Sequence, residues 1–138
     1  MKFTRNASAN WKGGTDGKGL VSSQSGVLQN TPYTFKMRFE DEKGTNPEEL
    51  IGAAHAGCFT MQLAVLIDKA GFKADNLDTT ATVTFQDGSI TTIKLNLIGS
   101  VPGMSAEQFT GLANQAKEIC PVSKLLKAAE IQLEQKFV

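Results

Sequence analysis

A chain of 138 residues with two cysteines, fourteen basic and fourteen acidic side chains has the size of a single domain, able to bury roughly two thirds of its unfolded surface without metal or disulfide staples. The balanced charge, with no like-charge block longer than Glu40-Asp41-Glu42, argues against nucleic acid or an anionic membrane as partner. Two thiols are too few for a secreted disulfide scaffold, and the first residues lead into no apolar run of the kind an export signal needs, so a reducing cytoplasm is the expected setting.

Residues 3–39 read as strands and turns: a polar strand over about 3–11, a turn at Gly13-Gly14-Thr15-Asp16-Gly17, a short strand near 19–23, and a run over 33–39 in which apolar and polar residues alternate, as in half-buried strand. Asn46 then stands as a helix N-cap, with Pro47 at the first helical position and Glu49 placed to reach back to the cap. This helix is predicted to run from Pro47 to about Lys69 and to stop at Gly71. Residues 79–85 and 90–100, rich in β-branched side chains and separated by Gln86-Asp87-Gly88-Ser89, form a hairpin. Ser105, with Gln108 three residues on, caps a second helix that ends at Ile119, because Cys120 precedes Pro121. A short helical turn over 122–127 and a strand carrying Ile131 and Leu133 complete the chain. The class is α+β, one domain over residues 1–138, with antiparallel sheets around a long central helix.

That helix is unusual in composition. Residues 50–67 carry no formal charge and reach the lower edge of transmembrane length at about 1.5 Å per residue. His55, Thr60, Gln62, the small residues Gly52, Ala53, Ala54, Ala56 and Gly57, and the lack of aromatic or basic anchors at both ends argue instead for a core helix and no membrane. A helix apolar all round must be covered on every side. Either a sheet wraps it or a second subunit supplies a face, and a homodimer is expected.

Cys58 lies inside this helix, where burial raises a thiol's pKa and leaves it inert unless a cation compensates. The helix dipole fades within the first turn and is too distant to help. An ordinary thiol is only about 3% ionised at pH 7, and making it mostly thiolate takes roughly 3.4 kcal/mol of preferential stabilisation of the charged form. An exposed ion pair supplies at most about 1 kcal/mol; a partly desolvated guanidinium supplies more. Of two arginines, Arg5 and Arg38, the candidate is Arg38, in the strand-like run, and its spare carboxylate partner is Glu48. The pairing has a drawback, since Glu48 weakens the field at Cys58 while fixing the direction of Arg38. Cys120, at a helix end, is the second thiol. Together the two suit a sulfenic acid former and a resolving partner, provided the fold brings their Cα atoms within about 7 Å. His55, one turn before Cys58, is the only histidine; a zinc site needs three or four ligands, so His55 reads as a hydrogen-bonded core or pocket residue and no metal is expected. Ser22, Ser23, Ser25 and Ser123 have no histidine nearby in sequence, so a serine nucleophile gains no support.

Nearly the full length resembles the OsmC/Ohr family, the osmotically inducible and organic hydroperoxide resistance proteins. The resemblance runs through Trp11-Lys12-Gly13, Gly17-Lys18-Gly19, Ser25-Gly26-Val27-Leu28, Arg38-Phe39-Glu40, Lys43 to Leu50, His55-Ala56-Gly57-Cys58-Phe59, Val101-Pro102-Gly103 and Cys120-Pro121-Val122-Ser123. His55 and the Lys43-Gly44-Thr45 lead-in are similar to the OsmC branch. Gly57 stands where many relatives carry alanine, which removes no reactive group. The resemblance implies an intertwined homodimer whose sheets draw strands from both subunits. It also implies a thiol peroxidase acting in oxidative and osmotic stress, with Cys58 peroxidatic, Cys120 resolving, Arg38 activating and Glu48 orienting it. A lipoyl-type dithiol is the implied reductant, and no metal, flavin or haem is required. Met37, Phe39, Phe59 and Met61, with His55, are candidate walls of an apolar pocket for alkyl or fatty-acid hydroperoxides. Two rivals stand beside this reading: a dimer that holds an acyl chain and whose thiols oxidise incidentally, and a thiol sensor, for which no DNA-binding pattern is present.

Overall fold

A computed structural model describes residues 1–138, whose contacts cluster into two compact units, residues 1–50 and 51–138. The first holds three antiparallel strands in the order β1 (Ala7–Lys12), β2 (Lys18–Ser23) and β3 (Thr31–Tyr33), followed by a one-turn helix α1 (Phe35–Phe39). Register places Trp11 opposite Gly19 and Gly19 opposite Tyr33. Glycine is required between the two rings, because a Cβ there would drive into the Tyr33 ring and the Asn10 carbonyl. With no side chain at Gly19 the Trp11 and Tyr33 rings meet at 5.4 Å, and Trp11 takes Phe35 edge-on at 5.4 Å.

Helix α1 replaces part of the strand expected over 33–39. Thr34 is extended and its Oγ1 accepts the Met37 N–H at 3.1 Å, capping the turn. Phe35 and Phe39, four residues apart, then stack at 6.0 Å on one side of it. Arg38 therefore projects from a helical turn, not from a strand.

Helix α2 (Pro47–Lys69) starts in the first unit and continues into the second. Its bounds agree with those read from the sequence, and Asn46 Oδ1 accepts the Glu49 N–H at 2.8 Å. By length and hydropathy it could cross a bilayer, but Gly52, His55, Phe59, Leu63 and Ile67 form a buried stripe at helical spacing. Phe59, Leu63 and Ile67 join one core with Ile93, Leu95 and Leu97 of the sheet and Phe109, Ala113 and Ala116 of the next helix. Each large apolar side chain so enclosed contributes about 1.5–3 kcal/mol relative to exposure. The opposite stripe, with Ala54, Gly57, Met61 and Val65, is exposed.

The rest of the second unit is β4 (Asn76–Gln86), β5 (Ser89–Ser100), α3 (Ala106–Ile119), α4 (Pro121–Leu125) and β6 (Glu130–Phe137), with sheet order β4-β5-β6. The β4–β5 hairpin turns through Asp87 and Gly88 at φ 50° and 83°, the pair of left-handed residues a two-residue hairpin favours. Strand β6, however, runs parallel to β5, which corrects the expectation of purely antiparallel sheets. Parallel neighbours need a crossover, and α3 and α4 provide it. Ser105 and Gln108 cap α3 reciprocally. Pro121 disfavours helical backbone at the residue before it, so Cys120 (φ −55°, ψ 125°) becomes a buried joint that ends α3 and opens α4.

Candidate active site

The second unit brings the two thiols together. Cys58 and Cys120, 62 positions apart, are both free, and their sulfurs are 2.8 Å from each other. Condensation would require only a small closure toward a bonded length of about 2.05 Å. The two differ in access: Cys120 is enclosed by the core, whereas Cys58 retains a path to solvent. Burial pushes the Cys58 thiol above the ordinary thiol range, the neighbouring Cys120 thiol adds to this, and the Val122 backbone partly offsets it. No cation of this unit contributes to that balance.

The first unit holds Arg38 and Glu48. The Arg38 guanidinium grips Glu48 through Nη2 to Oε1 at 2.7 Å and Nε to both carboxylate oxygens at 3.2 Å. Glu48 is 15% exposed and Arg38 35% exposed, so the fork is directed rather than sealed from water. The hydrogen bond from Arg38 holds the Glu48 carboxyl below its usual range, and its reciprocal raises Arg38. Arg38 also lies 5.0 Å from the centroid of the Phe39 ring. Beside Arg38, Trp11, Tyr33, Thr34, Phe35 and Pro47 line an apolar cleft of about 230 Å³. No local sequence pattern marks this cleft, whose lining comes from β1, β3, α1 and the start of α2.

The structure also pairs two residues that sequence distance had kept apart. His55 Nε2 is 2.7 Å from Ser123 Oγ, both side chains being buried. This does not make a hydrolytic pair: His55 Nδ1 is enclosed with no partner, so no carboxylate orients the ring as such chemistry requires, and Ser123 is 4% exposed. Burial pushes the imidazole below the ordinary histidine range. With a depressed folded value, the unfolded chain takes up the proton first as pH falls. The stability contributed by neutral His55 is therefore complete above about pH 6.5 and declines below it, by at most about 1.4 kcal/mol per pH unit. Urea unfolding at pH 7.5 and 5.5 is expected to show this loss, and His55→Gln to flatten it. An equal slope in the variant would contradict the assignment.

Four candidate wall residues remain, two in each unit. Phe59 fills the core, Met61 is exposed on α2, Phe39 is exposed on α1, and Met37 is half-buried against Gly44.

Comparison with known proteins places the chain in a family. The OsmC-like protein profile matches residues 40–136. The chain is 49% identical to the peroxiredoxin OsmC of Escherichia coli (strain K12) over 139 aligned residues, covering 97% of this chain and 96% of that protein. It is 30% identical to the organic hydroperoxide resistance protein OhrA of Bacillus subtilis (strain 168), covering 88% and 86%. The crystal structure of OhrB from Bacillus subtilis superposes with a TM-score of 0.70 at 27% identity, covering 97% of this chain and 98% of that one. With matched length, identity and fold in agreement, the chain belongs to the OsmC-like protein family.

Proposed function

We propose that the protein is a cysteine peroxidase that reduces organic hydroperoxides to alcohols in stress defence. The observation that carries this reading is the free thiol pair, a solvent-reachable Cys58 with Cys120 2.8 Å behind it. The Cys58 thiolate attacks the distal peroxide oxygen, the O–O bond breaks, and the leaving alkoxide takes a proton to become the alcohol. Cys58 is then a sulfenic acid. Cys120 displaces its hydroxyl, which leaves as water with the Cys120 proton, and a disulfide forms. A dithiol reductant, of which a lipoylated protein is one form, reopens the disulfide and is itself oxidised. Arg38, directed by Glu48, supplies the positive charge that favours the thiolate and then the negative leaving oxygen. The aromatic cleft beside Arg38 suits the organic part of the substrate better than hydrogen peroxide, which has none.

The 138 residues act as one domain in the reducing cytoplasm, and two copies form the working unit. The exposed apolar stripe of α2 at Ala54, Gly57, Met61 and Val65 supports a homodimer, since small residues let two helices approach closely and Met61, 72% exposed, is otherwise left in water. The test is consumption of tert-butyl hydroperoxide by purified protein with a small dithiol. Turnover faster than with hydrogen peroxide is expected, with a Cys58–Cys120 disulfide after one half-cycle without reductant. Absence of catalytic consumption would overturn the proposal.

A further inference from the structure

The polar pair in the core of the second unit is enclosed, and its placement follows that of the thiols. His55 stands three residues before Cys58 on α2, and Ser123 three residues after Cys120 on α4. The contacts Cys58–Cys120 at 2.8 Å and His55–Ser123 at 2.7 Å are thus successive rungs from α2 to the α3–α4 joint and the helix it opens, in antiparallel order. Helix α4 needs such a tie. It has five residues, its N-cap Cys120 makes no side-chain capping bond, and Leu125 at its end is 78% exposed. One turn of helix is unstable by itself, so the α3–α4 joint is held through Cys120, the partly buried Val122 and Ser123.

Stability alone does not account for the imidazole. Its Nδ1 is buried without a partner, a penalty that an apolar side chain of similar bulk would avoid. Replacing both members of a buried hydrogen bond by apolar groups is often close to neutral. What the bond supplies and apolar packing does not is direction.

We propose that His55 and Ser123 are positioning residues for the resolving half-reaction, their hydrogen bond holding the α3–α4 joint so that Cys120 remains against Cys58 once Cys58 is a sulfenic acid. The inference rests on the peroxidase reading. At the sulfenic acid two reactions compete. Cys120 can form the disulfide with loss of water, or a second hydroperoxide can transfer an oxygen to give the sulfinic acid and another alcohol. A looser joint favours the second.

The test uses the reduced full-length protein, treated with increasing cumene hydroperoxide and read by intact mass as the ratio of sulfinic acid to disulfide, with Cys120→Ser as the unresolved limit. Ser123→Ala and the double variant His55→Leu/Ser123→Ala are expected to raise the ratio about tenfold, the scale of one lost directed hydrogen bond, and Ser123→Thr, which keeps the hydroxyl, to restore it. A double variant with an unchanged melting temperature and the parental ratio would overturn the proposal. So would equal ratios for Ser123→Ala and Ser123→Thr, a comparison that holds even if the double variant does not fold. A second arm oxidises the same proteins with diamide, which needs no peroxidase activity. Disulfide formation about tenfold slower in Ser123→Ala is expected, and equal rates would count against the positioning role. A parent that consumes no hydroperoxide but retains the diamide difference would instead remove the peroxidase reading and leave the positioning role standing.

Discussion

Cys58→Ser is expected to abolish hydroperoxide turnover, by about three orders of magnitude or more, as removal of a catalytic nucleophile does elsewhere. The hydroxyl that replaces the thiol is far less acidic and cannot pass through a sulfenic acid, so neither the oxygen transfer nor the disulfide has a route. Cys120→Ser has a different signature: without reductant the first equivalent of hydroperoxide leaves Cys58 as a sulfenic acid, and a second oxidises it to the sulfinic acid in place of a disulfide. The asymmetry follows from position. Cys58 is the sulfur that solvent reaches and Cys120 is enclosed at the helix joint, so the reverse assignment would require substrate to enter the core. Steady-state assays with a dithiol, followed by intact mass, separate the two. Parental turnover in Cys58→Ser would eliminate Cys58 as the peroxidatic residue.

How far the sequence carried the structure depended on the range of the signal. Helix α2 was legible to its ends because Asn46, Pro47 and Gly71 are local punctuation, and the β4–β5 hairpin because Asp87-Gly88 has few other uses. Residues 33–39 were not. Alternation of Tyr33, Phe35, Met37 and Phe39 satisfies period two, but Phe35 and Phe39 are also four apart, and seven residues cannot separate the two periods. The deciding feature was Thr34, whose hydroxyl closes the turn onto the Met37 N–H. Strand β6 shows the opposite case. Its alternation identified a strand facing a core on one side, but direction is absent from alternation and follows from the helical crossover that precedes it. In the site, thiol chemistry was readable from residue type and helix punctuation. The Ser123–His55 contact, at 68 positions' separation, was not, because no local pattern links a serine on one helix to a histidine on another. The cleft at Trp11, Tyr33 and Phe35 was hidden in the same way, since its rings come from two strands and a helical turn that only the fold brings together.

Arg38→Ala is expected to raise the pH at which Cys58 ionises and to slow its reaction with hydroperoxide by at least about 30-fold at pH 7, the ratio between a fully ionised thiol and one about 3% ionised. In the second unit, burial and the Cys120 thiol push Cys58 toward its protonated form. A peroxidatic thiol must therefore be charged by something beyond its own surroundings, and the proposed source is the one guanidinium held in a directed fork. Glu48 has two opposed effects in this scheme. Its charge diminishes the attraction of Arg38 for a thiolate, but its bidentate grip fixes where the guanidinium points. Glu48→Gln should thus lower the ionisation pH of Cys58 and nevertheless slow peroxide reduction, because a misdirected cation stabilises the leaving oxygen less well. Alkylation of Cys58 by iodoacetamide as a function of pH, together with stopped-flow reduction of tert-butyl hydroperoxide, measures both quantities in a Cys120→Ser background that isolates one thiol. An ionisation pH identical in the parent and Arg38→Ala would refute the activating role, and a rate that tracked ionisation alone in Glu48→Gln would reduce Glu48 to a structural partner of the arginine.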